Sequence, residues 1–410
     1  MPTNEELMAT AKTRVEKAVI TTDALATAGK LNPQQADQFI DYVIDQSVLK
    51  NNARIVRFNP EQLEINKIGI GRRVAMPAAE ATDPRKRRGV TTSKVVLRPR
   101  EIIVPWEVTD SVAEVNLEGA KLLDHIVKMM AAQCNNDIEE LALQGDVLGP
   151  AILESDYVDG GDTTRYVKDG YLAMFNGWLR LADTLTHLYD AAGANVGSTI
   201  FSRMLNALPT KWRRNRGDLR FYIAPDLEQL YREKTSTRAT PLGDAAAQTD
   251  QVLKPFGVPL IAAPLFPMYP KVVEHFALPA FGAGSVTLRY KPIITNSDIV
   301  TLQTLGDTPT TPYVRVTDYT INPATGVIAA TAGPGALAAG ANIKVTYSAK
   351  PQILLTHAKN FIVGIGRDIR IEKDRDIYKR ANQYVITLKV AVQFEETDAI
   401  TKGFNVNDSV

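Results

Sequence analysis

The most regular apolar pattern in the chain lies within residues 110–146. Its apolar positions recur at steps of three and four, which places them on one face of a helix: Leu122, Ile126, Met129, Met130, Cys134, Ile138 and Leu141. Acidic residues occupy the first turns, where they stabilise the positive end of the helix dipole, and Gly145 follows the last periodic residue as a helix stop does. The pattern predicts a helix of 28 residues over 117–144, about 42 Å long. A helix of that length crosses a whole domain, so other elements must pack along it.

The chain before this helix divides into two parts. Residues 1–56 predict a short helix, a polar tether and a second helix, with Asn32 as its N-cap and Pro33 in its first turn. We expect this arm to dock on another part of the fold or on another copy of the chain. Residues 57–109 are rich in alternating and β-branched residues, which predicts a long two-stranded hairpin with a polar tip at 77–92. Because an isolated hairpin is marginal in water, this one should lie against a surface that it does not itself provide.

Short helices and strands alternate after the long helix, as far as residue 285. The pattern predicts helices at 170–192 and 197–208, a basic loop followed by a buried strand at 211–225, and a helix capped by Asp226. This alternation indicates an α+β domain rather than a doubly wound parallel sheet.

Residues 286–352 have no helical period. Strand patterns at even spacing, separated by Asn-Pro-Ala-Thr-Gly and Gly-Pro-Gly turns, predict a small β-sandwich inserted into the α+β domain. The chain then returns to that domain, and 369–395 predicts two strands that complete a sheet. The tail, 398–410, is polar.

The composition is that of a soluble globular protein of two or three domains. Of 410 residues, 45% are hydrophobic and 23% charged, and the formal net charge is +1, so bulk charge favours neither a nucleic acid nor a membrane as partner. The longest apolar runs are far shorter than the ~18 residues of a transmembrane helix. The N-terminus carries acids and lacks the apolar segment of a signal peptide. The single cysteine, Cys134, excludes a disulfide within the chain and favours a reducing cytoplasm.

Charge is distributed unevenly between the hairpin and the long helix. Seven basic residues and two acids lie between Glu80 and Arg100, a net charge of +5, whereas two lysines and eight acids lie in Asp110–Asp146, a net charge of −6. Opposite charges on two extended elements suggest that the hairpin of one copy overlies the helix of another, since such complementarity sets register and partner choice. The residues expected to carry this contact are Arg85, Lys86, Arg87, Arg88 and Lys94 on the hairpin and Glu114, Glu118, Asp124, Glu139 and Glu140 on the helix. Two alternatives are that both faces are merely solvated, and that the Arg-Lys-Arg-Arg run serves nuclear targeting or DNA binding.

Candidates for catalysis or cofactor binding are few. The chain has four histidines, dozens of residues apart and without the spacing of metal ligands: His125, His187, His275 and His357. It contains no nucleophile elbow, zinc-protease motif or phosphate-binding loop. The two Gly-Ile-Gly sequences, at 69–71 and 364–366, lack the strand–loop–helix context of a nucleotide site, so we assign them to backbone bends in strands. The sequence thus predicts no catalytic residue, no metal and no cofactor.

The order of these parts resembles the major capsid protein of tailed bacteriophages, which has the Hong Kong 97-type fold. Four stretches carry the resemblance and span residues 32–405: NPQQADQFIDYVIDQSVLK, IIVPWEVTDSVAEVNLEGAKLLDHI, NNDIEELALQGD and IRIEKDRDIYKRANQYVITLKVAVQFEETDAI. The resemblance implies an α+β capsid fold with a small all-β, immunoglobulin-like insertion. The implied parts are an N-terminal arm (1–56), an extended hairpin loop (57–109), a peripheral domain with a long spine helix (110–189 and 367–410), an axial domain (190–285 and 353–366) and the insertion (286–352).

The resemblance also implies a function. The chain would be a non-catalytic major capsid protein, located in the virion, that self-assembles as hexamers and pentamers in the host cytoplasm. Its expected partners are itself, a portal and scaffolding or decoration proteins, with non-specific contact to packaged DNA and no membrane. Some family members join a hairpin lysine to an asparagine of a neighbour; Lys67, Lys86 and Lys94 lie in the right hairpin, but no partner asparagine is matched, so ordinary surface lysines are favoured.

Two other functions remain open at the level of sequence. The same shell fold is used by encapsulin nanocompartments, which enclose cargo enzymes, and a cargo-docking groove would distinguish them. An enzyme acting on a carbohydrate or phosphate ester is the other alternative, although the chain has no evident pair of catalytic carboxylates.

Overall fold

A computed structural model describes residues 19–20, 53–58, 62–69, 91–109, 121–158, 160–184, 187–237, 252–277, 285–302, 310–331 and 342–408. The predicted N-terminal helices, the hairpin tip and the start of the long helix lie outside these residues. The side chains of 69, 91, 121–124 and 367–370, and of the two residues 19–20, also lie outside the description.

The predicted long helix is confirmed as α1, Lys121–Gln144. It ends where the sequence placed the stop, because the Gly145 amide donates to the carbonyl of Leu141 at 3.0 Å. A Cβ atom at Gly145 would lie 2.5 Å from the carbonyl oxygen of Phe175, so no other residue fits this close approach.

A five-stranded sheet, which we call the peripheral sheet, lies against α1. Its strands follow the order β1-β5-β19-β18-β2. Alternate residues of β19, from Tyr384 to Phe394, point into the core that the sheet shares with α1. This confirms the prediction that residues 369–395 form two strands that complete a sheet. The strands are β1 (Val19–Ile20), β2 (Arg54–Arg57), β5 (Arg100–Thr109), β18 (Phe361–Asp376) and β19 (Ala381–Phe394).

A second five-stranded sheet, the axial sheet, has the order β10-β9-β17-β20-β8. One continuous apolar cluster joins α1, the peripheral sheet and the axial sheet, so the two predicted domains share a core. The strands and helices of this part are β8 (Leu188–Asp190), α4 (Ser198–Ala207), α5 (Thr210–Arg213), β9 (Leu219–Ile223), α6 (Pro225–Ser236), β10 (Leu260–Ala262), β17 (Ile353–His357) and β20 (Ile400–Phe404).

A small β unit follows, built from two three-stranded antiparallel sheets with the orders β11-β16-β13 and β12-β15-β14. Residues of both sheets share a separate apolar core that contains Tyr290, Tyr319 and Tyr347. An insertion with strands is thus present; its immunoglobulin-like topology stays a prediction. The strands are β11 (Lys271–Ala277), β12 (Ser285–Thr287), β13 (Ile299–Leu302), β14 (Tyr319–Asn322), β15 (Val327–Ala330) and β16 (Asn342–Ser348).

The remaining elements are short. The hairpin base is formed by β3 and β4, and a second small hairpin by β6 and β7. Three 3-10 turns lie at Pro255–Gly257, Ala358–Asn360 and Thr397–Ala399. The other elements are β3 (Leu63–Gly69), β4 (Thr91–Leu97), β6 (Ala151–Leu153), α2 (Glu154–Tyr157), β7 (Tyr166–Lys168) and α3 (Trp178–Ala182).

Strand pairing moves three predicted boundaries. β11 belongs to the small β unit rather than to the axial domain, because it pairs with β16 along its whole length. β18 enters the peripheral sheet at Phe361, six residues before the predicted boundary of 367. The tail predicted to be polar forms β20, which pairs with β17 and β8 in the axial sheet instead of staying in the peripheral domain.

Two local predictions are wrong. The helix predicted at 170–192 is only the five residues of α3, since Asp169 caps a turn at 171–172 and Gly177 closely approaches the backbone of Gly145. The N-cap of α6 is Ala224 with Pro225 in the first turn, so Asp226 lies inside the helix and does not cap it.

Candidate assembly surfaces

The base of the extended hairpin is held by its own chain. β3 and β4 pair from Leu63 opposite Leu97 to Gly69 opposite Thr91. Leu97 and Phe58 are buried with Ile362 of β18 and Ala391 of β19, on the face of the peripheral sheet away from α1. The prediction that the hairpin lies on a surface it does not itself provide is therefore confirmed for its base, where that surface is the peripheral sheet of the same chain, whereas the tip lies outside the described residues.

Two glycines in β18 make this contact possible. A Cβ atom at Gly364 would lie 2.9 Å from Cε1 of Phe58 and 3.2 Å from Cδ1 of Leu97. A Cβ atom at Gly366 would lie 3.2 Å from Cγ of Pro99. Register shifts on either side of Arg367 also bend the strand, which confirms the predicted bend at this Gly-Ile-Gly sequence. The same sequence pattern marks the close approach of a second layer.

The predicted basic residues of the hairpin are only partly described. Lys94 pairs with Glu64 of its own hairpin at 2.9 Å, and both side chains are exposed. Arg85, Lys86, Arg87 and Arg88 lie outside the described residues. Their contact with a neighbour stays a prediction.

The predicted acidic residues of the helix do not form one exposed row. Glu139 is only 2% exposed and lies inside the protomer, so its assignment to a surface that meets a neighbour is corrected: the helical period turns it toward the core. Glu140 is half-buried, and burial, with the carboxylates of Asp137 and Asp169, raises its pKa while Lys271 lowers it. The side chain of Asp124, and both Glu114 and Glu118, lie outside the description.

Several large apolar side chains on extended elements are left uncovered by the chain. Ile68 of β3 is 74% exposed and Ile103 of β5 59%. The turn between β18 and β19 exposes Ile377 and Tyr378, and Asp376 fixes it by accepting hydrogen bonds from the amides of residues 378 and 379 at 2.9 and 3.1 Å. Exposed apolar side chains on rigid, protruding elements are candidates for contacts between copies.

A buried charged cluster joins the small β unit to the rest of the chain. The Lys402 ammonium of β20 pairs with the Asp183 carboxylate and also donates to the carbonyl of Leu179 at 3.1 Å. Tyr290 of the small β unit donates to the same carboxylate, and Arg289 donates to the Asp183 carbonyl at 2.6 Å. Burial lowers the pKa of Lys402, and the Asp183 carboxylate opposes that shift.

The face of the β11-β16-β13 sheet that points away from the small core is polar. Lys344 is 1% exposed on this face, between His275 and Thr301 of the neighbouring strands. Thr346, two residues along, accepts a hydrogen bond from the Ala151 amide of β6 at 3.1 Å. Burial and the nearby Lys168 lower the pKa of Lys344 to about 8, against the opposing effect of the Asp146 carboxylate. We call this surface and the Asp183 cluster together the polar joint; sequence reasoning missed it.

The described part of the chain contains neither a cluster of possible metal ligands nor a candidate transmembrane helix. Within the ranges given above, no group of three or more His, Cys, Asp or Glu side chains could hold a metal ion. Among the same residues, no helix is long and apolar enough to cross a membrane.

Comparison with solved structures identifies the class of fold. The chain matches the satellite phage P4 procapsid that includes the size determination (Sid) protein with a TM-score of 0.51 and 9% identity, over 97% of this chain and 98% of that chain. The capsid of a native GTA particle matches with a TM-score of 0.49 and 11% identity, over 94% and 100%. The fold is the Hong Kong 97-like capsid fold that the sequence resemblance implies.

Comparison of sequences gives a relative at higher identity. The chain is 29% identical over 396 residues to the putative prophage capsid protein YqbE of Bacillus subtilis (strain 168), covering 96% of this chain and 98% of the relative. No protein-family model matches the chain. The chain therefore has the Hong Kong 97-like capsid fold and is similar over almost its whole length to a protein named as a prophage capsid protein.

Proposed function

We propose that the chain is the major capsid protein that builds the icosahedral head shell of a tailed bacteriophage and encloses its double-stranded DNA. The single observation that carries the proposal is sequence similarity along almost the whole length of a protein named as a prophage capsid protein. In this proposal the chain is a structural protein without catalytic activity, and copies form pentamers and hexamers in the host cytoplasm. A portal and scaffolding or decoration proteins complete the head.

The uncovered parts of the protomer support an assembly of many copies. The two strands of the hairpin base, β3 and β4, have seven residues each, and Ile68 near the end of β3 is exposed. A shell protein needs such elements, because obligate interfaces bury thousands of Å² per contact set. We propose that the hairpin tip overlies the start of the long helix of a neighbour, through Arg85–Arg88 on one side and Glu114 and Glu118 on the other.

The encapsulin alternative uses the same fold, so the fold alone does not separate the two functions. What favours the phage shell is the name and coverage of the curated relative. An enzyme acting on a carbohydrate or phosphate ester gains no support from the described residues. The cavity that Asp146 and Asp183 line has a volume of about 20 Å³, which is room for a water molecule and not for a sugar or a phosphate ester.

Purified full-length protein should form closed shells that are visible by negative-stain electron microscopy. Particles that co-purify with DNA resistant to nuclease would support a phage head, whereas particles that co-purify with a single host enzyme would support an encapsulin. A protein that stays monomeric at high concentration, with and without the scaffold from the same prophage, would contradict both.

A charge swap tests the contact between hairpin and helix. Replacing Arg85, Arg87 and Arg88 with Glu should stop assembly while the protomer stays folded, and combining this with Glu114→Lys and Glu118→Lys should restore shells. Lys94→Glu is the control, since Lys94 pairs with Glu64 of its own hairpin. Failure of the swap to restore shells, with both single sets folded, would remove this contact from the proposal.

A further inference from the structure

One exposed surface of the axial part carries much more positive charge than the chain as a whole. Residues 209–220 contain five basic residues and one acid, a net charge of +4, in a chain whose total is +1. The segment comprises α5 and the loop that leads into β9. We refer to Lys211, Arg213, Arg214 and Arg216, with the aromatic residues Trp212 and Phe256, as the basic loop patch.

The charges of the patch are not neutralised by the protomer. Lys211, Arg214 and Arg216 are exposed, and Arg213 is half-buried. None of the four forms an ion pair with a carboxylate among the described residues. The single acid of the segment, Asp218, is engaged by the amide of Asn215. Free cationic charge therefore concentrates at this surface.

Neutral hydrogen bonds hold the patch in one shape. Arg213 donates to the side-chain oxygen of Asn206 in α4 at 2.8 Å, and Arg216 donates to the carbonyl of Phe256 at 3.2 Å. Because these partners are uncharged, they orient the guanidinium groups without cancelling their charge. A preorganised cationic surface loses little side-chain entropy when an anion binds.

Aromatic rings lie among the charges. The Lys211 ammonium is 4.6 Å from the centroid of the Trp212 ring, which in turn packs edge to face on His357. Phe256 has a φ of +53°, a left-handed backbone conformation that is rare for a residue with a side chain; its carbonyl accepts the hydrogen bond from Arg216, and its side chain is exposed. Arginines interleaved with aromatic side chains are typical of nucleic-acid-binding surfaces.

We propose that the basic loop patch binds the phosphate backbone of packaged double-stranded DNA, independently of its sequence. Guanidinium groups suit this ligand because their planar donors contact two phosphate oxygens at once. The patch would give a nearly neutral shell a local contact with its contents. This inference rests on the proposed function, because only a phage head would bring packaged DNA into contact with the chain.

The test measures binding of the unassembled full-length chain to a labelled 30-base-pair duplex of mixed sequence, by fluorescence anisotropy over a range of salt concentrations. The variant is Lys211→Gln with Arg214→Gln and Arg216→Gln. The matched control removes three exposed basic residues elsewhere, Arg165→Gln, Lys373→Gln and Lys379→Gln, and so changes the net charge equally.

We expect the patch variant to bind at least about tenfold more weakly at low salt and to lose about 0.9 in the slope of log K against log salt for each phosphate contact removed. The control should keep the wild-type slope. If the triple variant melts at a lower temperature than wild type, the pair Lys211→Gln and Arg214→Gln is measured instead, because neither side chain donates a hydrogen bond within the described structure; it should lose about two contacts.

Three results would overturn the proposal. One is wild-type protein that does not bind the duplex, and another is an equal loss of binding in the patch variant and the control, which would assign binding to total charge. The third is a patch variant that binds DNA like wild type but no longer forms shells, which would make the patch a contact between copies. Since binding is measured before assembly, a wild-type protein that forms no shells would refute the proposed function without deciding this test.

Discussion

The protomer holds its parts together in two contrasting ways. The long helix and the two large sheets share one apolar core, in which Trp178 packs on Phe361 with ring centroids 4.6 Å apart. The small β unit has its own apolar core and meets the rest of the chain at the polar joint, where Lys402, Asp183 and Tyr290 are buried together. It also makes a ring contact there, in which Phe404 of β20 packs edge to face on Tyr290 with centroids 5.1 Å apart.

The two kinds of contact differ in how strictly they fix the orientation of the parts that they join. Apolar contacts stabilise any arrangement that excludes water, whereas a buried ion pair is favourable only in the geometry that satisfies its hydrogen bonds. We therefore expect the shared core to supply most of the free energy of unfolding, and the polar joint to set the angle at which the small β unit projects.

The largest effect should come from the shared core. Trp178→Ala removes a ring that is almost completely buried, whose Nε1 also donates to the carbonyl of Gln393 at 3.2 Å, and should lower the free energy of unfolding by about 3–5 kcal/mol. Urea unfolding of the unassembled chain measures this. Ile103→Ala, at an exposed position of the peripheral sheet, is the control and should change it by about 0.5 kcal/mol or less. Equal losses in both variants would mean that the shared core is not the main source of stability.

The polar joint should be sensitive to the loss of one partner. Lys402→Met leaves the buried Asp183 carboxylate with the Arg180 guanidinium, 3.5 Å away, in place of two cations and should cost about 3 kcal/mol. The double variant Lys402→Met with Asp183→Asn should recover most of that loss, because no buried charge then remains unpaired. Urea unfolding of the single and double variants gives the coupling, and additive losses would show that the two groups do not act as a pair.

Lys344 gives the joint a dependence on pH. Its folded pKa, about 8, lies below the ordinary lysine value of 10.5, so the unfolded chain holds the proton more tightly and stability rises with pH between these two values. One pKa unit corresponds to about 1.4 kcal/mol, so Lys344→Met should be about 2–3 kcal/mol more stable than wild type at pH 7. That advantage should disappear by pH 10.5. Thermal melts of both proteins at several pH values measure the difference, and a constant gap across this range would contradict the shifted pKa.

The smallest effect should come from the hairpin base. Gly364→Ala places a methyl group against Phe58 and Leu97 and should cost about 1–3 kcal/mol by overpacking. Gly170→Ala is the matched control, since its Cβ would be 3.7 Å from the hydroxyl of Tyr157 and its backbone is not left-handed. Urea unfolding compares the two, and a Gly364→Ala variant as stable as the control would show that the base can shift away from the sheet.

Sequence patterns predicted the features that depend on nearby residues. The end of α1 at Gly145, the helix α4 and the buried strand β9 all follow from local periodicity and helix stops. The polar joint does not, because Lys402 and Asp183 are 219 residues apart and each looks like an ordinary surface residue in its own segment.

The same reason explains the wrong predictions. β20 lies in a tail whose polar composition hides a buried strand with a partner on each side, and Glu139 follows the helical period into the core although its charge suggested the surface. The basic loop at 211–220 was evident from the sequence, but its aromatic neighbour Phe256 comes from a turn 36 residues later.

The close contact at Gly364 and Gly366 makes the base of the hairpin a pivot, about which the rest of the hairpin can turn. β3 and β4 each have seven residues, counted from this contact, where Leu63 and Leu97 lie. Arms of that length reach about 23 Å, so a rotation of about 10° at the base displaces their far end by about 4 Å. A shell that changes diameter needs subunits that re-aim their outermost contacts while their interiors stay packed. Because Gly364 and Gly366 let the base of the hairpin approach one strand of the peripheral sheet, a re-aimed hairpin would turn about this contact.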